Sequence, residues 1–379
     1  MERKVAVLVA GLAIGCASGP QVYTTVPPIA PGTGGANDIE TTLILIGDAG
    51  HALPGDPVLA RVTEAAAERP DRTLVVFLGD NVYQDGLAPE GSPDRQRGED
   101  ILQAQIAVGR ESGARLIFVP GNHDWDSGKA AGWDHIREQG RFLETNGAEI
   151  LPTEGCPGPG VVDAGSQLRL VALDTQWWLH SGAKPVDPTS SCEADSEVEV
   201  LEALDEVLAG GADRHVVVVA HHPLMSRGPH GGHFTWKDHI FPLTHVAGWL
   251  WIPLPIVGSI YPLIKGSGVT SQDMSNSENK RMRAALDSVL ALHRPLIYAA
   301  GHEHSLQVFE GETARHVLVS GASTVGHYSG VGRLEQTRYA KAGIGFIRID
   351  FTSGGSARLS VVVVDEDGAA VEEYSAWLQ

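Results

Sequence analysis

Nine short apolar runs punctuate this chain, and each one stops at a glycine or a polar turn. They are TTLILIGD (41–48), RTLVVFLGD (72–80), ARLIFVPGNHD (114–124), QLRLVALD (167–174), RHVVVVAHHP (214–223), RPLIYAAGHEH (294–304), RHVLVSG (315–321), GFIRIDF (345–351) and ARLSVVVVDED (357–367). Val/Ile/Leu runs of this length, bounded by turn residues, read as strands buried on both faces. Helical spacing fills several of the gaps. Asp56-Pro57 is a cap followed by proline at the first helical position, continued by PVLARVTEAAAER. GEDILQAQIAVGRES, SEVEVLEALDEVLAG and ENKRMRAALDSVLALH also repeat their apolar residues at helical intervals. Strand alternating with helix predicts an α/β architecture. The last runs follow one another without helices, as in an antiparallel sheet, and no internal repeat is present.

Polar residues gather at the C-terminal ends of these runs, where open α/β sheets bind their ligands. The ends present Asp48 in GDAG, Asp80 and Tyr83 in GDNVY, and Asn122, His123 and Asp124 in GNHD. Two later ends add His221 in VVAHHP and His302 and His304 in GHEH. Singly, each has an ordinary reading: an aspartate at a strand end caps a helix, and one histidine is a satisfied core or surface residue. Five such ends in one chain form a set of oxygen and imidazole donors suited to Fe, Zn and Mn.

In this order the five motifs resemble those of the calcineurin-like metallophosphoesterases. Tyr83 narrows the resemblance to the purple acid phosphatase branch, including the small tartrate-resistant type. The resemblance spans Thr41 to Gln307. It implies a four-layer α/β/β/α sandwich, two mixed β-sheets face to face with helices outside. It also implies two metal ions. Asp48, Asp80, Tyr83 and His304 match the ligands of the first, and Asp80, Asn122, His221 and His302 those of the second. Asp80 would bridge them, and a shared carboxylate can hold two cations at roughly 3.5–4 Å. His302 and His304 would face opposite ways on a regular strand. They can serve adjacent metals only if the chain leaves the strand, which Gly301 permits. Phenolate is a hard anionic donor, so Tyr83 points to Fe(III), paired with Zn, Mn or Fe(II). Two zinc or two manganese ions are the alternative.

The loop AHHPLMSRGPHGGH (220–233) holds four histidines. His221 ends the strand and matches the ligand. His222 stands where the small purple phosphatases have an aromatic residue, and its role stays open. His230 has the family's spacing for a histidine that contacts substrate, with His233 as its rival. His123 would contact the same phosphate, oriented by Asp124. Arg227 either helps hold an anion or is simply solvated. The implied reaction is hydrolysis of a small phosphate monoester by a metal-bound hydroxide, with His123 or His230 supplying a proton to the leaving oxygen. Two other readings stand beside it. One is a phosphodiesterase or pyrophosphatase acting on lipid or nucleotide-type substrates. The other is a non-catalytic metal-binding lipoprotein.

The remaining features concern location. Arg3 and Lys4 precede the short apolar stretch Val5–Ile14, the pattern of an export signal too short to span a membrane. LAIGC resembles a bacterial lipoprotein box, with Ala13 in place of the usual leucine. Residues 1–16 therefore read as a signal peptide that leaves Cys16 lipidated, with an ordinary cleaved signal as the alternative. Residues 17–38 read as a flexible Pro/Gly/Thr-rich tether, and 39–379 as the catalytic domain. The expected site is the bacterial envelope, facing the periplasm or at the cell surface. Ala17 after Cys16 favours the outer membrane over the inner. Export favours a disulfide between Cys156 and Cys192, two buried thiols being the alternative. The formal net charge of −19 argues against nucleic acid as a partner. Finally, an apolar insertion occupies about 241–275, and Val246–Ile264 within it carries no charge. It cannot be a membrane span, because that would put His221 and His302 on opposite sides, and Pro253, Pro255 and Pro262 break a helix. It reads either as an arm packed on the body or as a hairpin dipping into a membrane surface.

Overall fold

The computed structural model describes residues 22–24, 38–188, 190–245, 250–254 and 257–378. The proposed signal peptide and Cys16 lie outside the described residues, as do parts of the tether and of the apolar insertion. The chain runs β1 (Val22–Thr24), β2 (Ile39–Ile46), α1 (Pro57–Ala67), β3 (Thr73–Phe77), α2 (Arg95–Ser112) and β4 (Arg115–Phe118). It continues through α3 (Gly132–Thr145), β5 (Glu149–Ile150), β6 (Gly160–Ala164), β7 (Leu168–Ala172), α4 (Thr175–Leu179), α5 (Glu197–Ala209) and β8 (His215–Val219). Next come α6 (Trp236–Ile240), α7 (Ile260–Gly266), α8 (Ser277–His293), β9 (Ile297–Ala300) and β10 (Leu306–Glu310). The chain closes with β11 (His316–Ser320), β12 (Thr337–Lys341), β13 (Gly345–Thr352), β14 (Ala357–Val364) and β15 (Ala370–Leu378).

Two mixed sheets result. One has the order β15-β14-β13-β2-β3-β4-β5 and the other β1-β12-β10-β11-β9-β8-β7-β6. The parallel centres are β2 through β5 in the first, and β7, β8, β9 and β11 in the second. Alternation along a strand explains the layers. Leu43, Leu45 and Ile349 of one sheet face Val217, Val219 and Leu318 of the other. Ile44, Ile46, Val75 and Phe77 turn outward under helices, as do Val216 and Val218 on the other sheet. Both faces are buried, so the runs read as continuous apolar stretches rather than alternating ones. The chain thus forms two mixed sheets flanked by helices, as the resemblance implied.

Local chemistry sets the helix starts. Asp56 accepts hydrogen bonds from the amides of Val58 and Leu59, with Pro57 at the first helical position. Ser196 and Glu199 form a capping box at α5. Cys156 and Cys192 are joined in a disulfide.

The tether differs from expectation at one point. Val22–Thr24 pairs antiparallel with β12, so this piece is docked on the sheet edge rather than free spacer. The insertion forms a 3₁₀ turn at Val257–Ser259 and α7, which pack on one another and on α6 just before the insertion. No helix among the described residues is long and apolar enough to cross a membrane.

Candidate metal centre

The parallel strands of both sheets end at one edge, and their end loops meet there. The turns are tight. Asp48, Asp80 and His302 all adopt left-handed backbone, with φ of 59°, 53° and 67°. Such conformations are costly for non-glycine residues and persist where the surroundings hold them in place. His302 itself makes the turn out of β9. Gly301 serves a different need from the one expected: a Cβ there would lie 2.7 Å from Asp48 Oδ2 and 2.8 Å from the Leu78 carbonyl.

Seven donors converge. His221 Nε2 lies 3.0 Å from Asn122 Oδ1 and 3.4 Å from Asp80 Oδ1. His302 Nδ1 lies 3.0 Å from Asn122 Oδ1 and 3.2 Å from His221 Nε2. On the other side of Asp80, Tyr83 Oη sits 3.0 Å from Asp48 Oδ1 and 3.2 Å from His304 Nε2. His304 Nε2 is 3.4 Å from Asp48 Oδ1. The predicted ligands are therefore brought together in two touching groups. Asp48, Asp80 and His221 form one tight cluster of candidate donor atoms, and His221, His222 and His302 another.

The proton inventory tests the fit. The other nitrogen of His221, Nδ1, faces the Leu78 carbonyl at 2.8 Å and must carry its proton there. The other nitrogen of His302, Nε2, likewise faces the Gln272 carbonyl at 2.9 Å. The nitrogens turned toward Asn122 Oδ1 are left to offer lone pairs, the second-shell arrangement that orients metal-ligating histidines. Separations near 3.0–3.4 Å match the edges of a coordination polyhedron with bonds of about 2.1 Å. Burial opposes charge on His221, yet Asp80 and Asp48 raise its pKa to about 9. The carboxylates thus attract positive charge to this point, which a metal cation would supply. Burial together with Asp48 and Asp80 raises the Tyr83 phenol well above its ordinary range. Only a strongly charged cation would hold it as phenolate.

The remaining predicted residues sort as follows. His123 stands at the mouth, its Nδ1 held by the Gln84 carbonyl and, at 3.1 Å, by Ser127 Oγ. Its Nε2 is 3.8 Å from Asp80 Oδ2. Asp124 does not orient it. The Asp124 carboxylate is fully buried and accepts four hydrogen bonds, from the amides of Gly121, Asn81 and Val82 and from the Asn81 side chain. It staples the GDN and GNHD loops together. His230 packs on His302, with ring centroids 4.1 Å apart. His233 packs against Gly332 instead, and Arg227 lays its stem on the same glycine. His222 is buried between Thr175 Oγ1 at 2.8 Å and Gln272 Oε1 at 2.7 Å. Burial pushes its pKa down to about 3, so it stays neutral and braces the His221 and His302 rings.

Several participants carried no signal in the motifs. Asp273 Oδ1 lies 3.1 Å from His230 Nδ1, and Lys265 Nζ donates to His230 Nε2 at 3.4 Å. His230 is thus neutral, and burial holds its pKa at about 4. The positive charge at this corner belongs to Lys265. Both partners come from the insertion, which had only its apolar composition to read. Glu303, the middle residue of GHEH, is buried and accepts from the His230 amide and Ser226 Oγ. His327 and His51 stack around Tyr83 and His304, with His327 4.0 Å from His304. His51 adjoins the GDAG motif and could have been noticed, whereas His327 lies in an unremarkable loop.

Comparison with known proteins agrees with this geometry. No curated protein matches the chain significantly. Among solved structures, the chain resembles GAP50, the anchor in the inner membrane complex of Plasmodium, at 16% identity and TM-score 0.55, covering 90% of this chain and 89% of that one. It also resembles the purple acid phosphatase PPD1 from yellow lupin seeds, at 14% identity and TM-score 0.54, covering 89% of this chain and 53% of that one. At such identities these likenesses speak to the fold. The family model for calcineurin-like phosphoesterases matches residues 41–306, which takes in all five donor motifs at the strand ends, and the chain belongs to that family.

Proposed function

We propose that this protein is a phosphomonoesterase that works with two metal ions, held at the bacterial envelope by a lipid on Cys16. The observation that carries this reading is the convergence of lone pairs from Asn122, His221 and His302 beside the buried carboxylate of Asp80. Asp48, Asp80, Tyr83 and His304 would hold one ion, and Asp80, Asn122, His221 and His302 the other. Fe(III) suits the tyrosine side, with Zn, Mn or Fe(II) opposite, and two zinc or two manganese ions are the rival pair. When bound, such ions offset phosphate charge and acidify the attacking water.

The chain's own groups supply the rest. His123 presents Nε2 to the cleft because Gln84 and Ser127 hold its Nδ1. Protonated there, it gives the leaving oxygen its proton. Lys265, beside His230, would face the phosphate. A monoester dianion carries one more negative charge than a diester for Lys265 to meet, which supports the monoester reading over the diesterase one.

Metal content and visible absorption on one purified sample test the proposal. One iron plus a second metal, with a visible band lost in Tyr83→Phe, is expected, together with faster hydrolysis of an aryl monoester than of the matching diester. Faster diester hydrolysis would move the assignment to the diesterase class. No metal after reconstitution would defeat the enzyme reading.

A further inference from the structure

Five large apolar side chains of the arm formed by α6, the 257–259 turn and α7 face solvent. Trp236, Trp251, Val257, Ile260 and Leu263 are each more than half exposed. They belong to one unit, since α6, α7 and the turn pack on each other and Phe241 stacks near Trp251 at 5.3 Å. Exposed apolar area of this density marks an interaction surface. On α7, Ile260 and Leu263 are three apart and share a face. Lys265 leaves the same helix in the other direction, toward His230. The arm therefore has an inner face on the candidate centre and an outer face with no covering among the described residues.

The start of the chain points to what covers it. Val22 pairs with Lys341, and Lys341 with Leu306, two residues beyond His304. Because β10 begins at the candidate centre and β1 runs in the same direction, Val22 lies at the same end of the sheet. Cys16 is six residues away, a reach of no more than roughly 20 Å. A lipid on Cys16 would hold this end near a bilayer. Charge agrees. Over residues 236–266 there are two lysines and one aspartate in a chain of net charge −19. This stretch adds little negative charge to repel an anionic membrane, and tryptophan suits its interface.

We propose that the outer face of this arm lies on the lipid bilayer that holds the anchor, and that the substrate is a phosphate monoester on a membrane-embedded lipid. The proposal rests on the anchored phosphomonoesterase reading. Docking places the candidate centre at head-group level, and Lys265 links the docked helix to the residues around the phosphate.

The full lipidated protein in vesicles tests it. Acyl chains brominated near the head group should quench part of the tryptophan fluorescence, and Trp251→Phe should remove part of that quenching. The double variant Ile260→Asp/Leu263→Asp should hydrolyse a soluble aryl phosphate as the parent does. It should hydrolyse a vesicle-embedded dialkylglycerol phosphate at least about tenfold more slowly. An anchored, folded protein whose tryptophans are not quenched overturns the docking. Quenching with aryl phosphate turnover but none of the embedded lipid overturns the substrate class. A concentration-dependent dimer lost in the double variant, without quenching, assigns the face to a second copy instead. Should the parent fail on the aryl phosphate while quenching persists, the enzymatic reading falls and the membrane contact is supported.

Discussion

Asp124→Asn separates two roles for the residue after His123. If Asp124 acted through that histidine, its loss would cost turnover and little stability. The structure places it elsewhere. Oδ1 accepts the amides of Asn81 at 3.0 Å and Val82 at 3.2 Å, and Oδ2 accepts the Gly121 amide at 2.8 Å and the Asn81 side-chain amide at 2.9 Å. An asparagine keeps one accepting oxygen and turns the other into a donor facing two donors. Two hydrogen bonds to a charged group are lost, at about 1.5–3 kcal/mol each. Removing a buried charge returns some of this, since burial, with Asp80 nearby, raises the Asp124 carboxyl to about 6. The lower end, about 3 kcal/mol, is therefore expected. For roughly 340 folded residues the unfolding entropy is about 0.7 kcal/mol/K, so the melting temperature should fall by about 4 °C. Thermal unfolding, kcat and its pH profile would be measured beside Ser127→Ala, which removes one contact of the His123 ring. Ser127→Ala should lower kcat and leave the melting temperature alone. The reasoning fails if Asp124→Asn unfolds within about 1 °C of the parent and shifts the pH profile instead.

Other consequences can be checked in the same preparations. Lys265→Met removes the one ammonium on His230 and should raise KM for a soluble monoester about three- to tenfold, less at high salt, with kcat changed little. Cys156→Ser/Cys192→Ser opens a loop with 36 residues of sequence separation; by chain entropy it should cost about 4 kcal/mol, or about 5 °C, with metal content unchanged. Burial holds the His316 pKa near 4, below its ordinary value of 6.5. The unfolded chain then takes up that proton first, so stability is full above pH 6.5 and declines as pH falls toward 4. His316→Gln should flatten this decline by at most roughly 3 kcal/mol in acid denaturation curves. Chelation should abolish hydrolysis and lower the melting temperature, because Asp48 and Asp80 would lose their counter-charge.

What the sequence revealed depended on which forces act along the chain. Strands such as Leu43–Ile46 and Val216–Val219 are buried on both faces, so composition alone exposes them. The donors at their ends were legible because each follows directly from a strand. Asp56 and Pro57 marked α1 through local hydrogen bonding. By contrast α3 begins at Gly132 with no side-chain cap and mostly polar residues, and it gave no comparable sign. β1 was lost in a stretch whose Pro/Gly/Thr composition suggests a spacer, since pairing with β12 is a tertiary matter. Asp124 was misjudged because its neighbour in sequence was His123, while three of its four hydrogen bonds come from Asn81 and Val82, 42 or 43 residues earlier. Lys265, Asp273 and Gln272 could not be placed from sequence, because only packing of the arm brings them to His230 and His222.

The contacts that assemble the donors also stitch the two sheets. The His302 amide donates to Asp48 Oδ2 across 254 residues and His221 reaches the Leu78 carbonyl, while within the first sheet the Asp48 amide donates to the Gly79 carbonyl. Asp48, His221 and His302 are held on both sides, because each is also a suture between halves of the molecule. Movement of these three donors should then require the sandwich to part along this seam. The amides of Asp48, Leu78 and His302 should rank among the slowest to exchange with deuterium. A centre closed by residues so far apart forms late in folding, so an ion bound there would chiefly slow unfolding rather than hasten assembly.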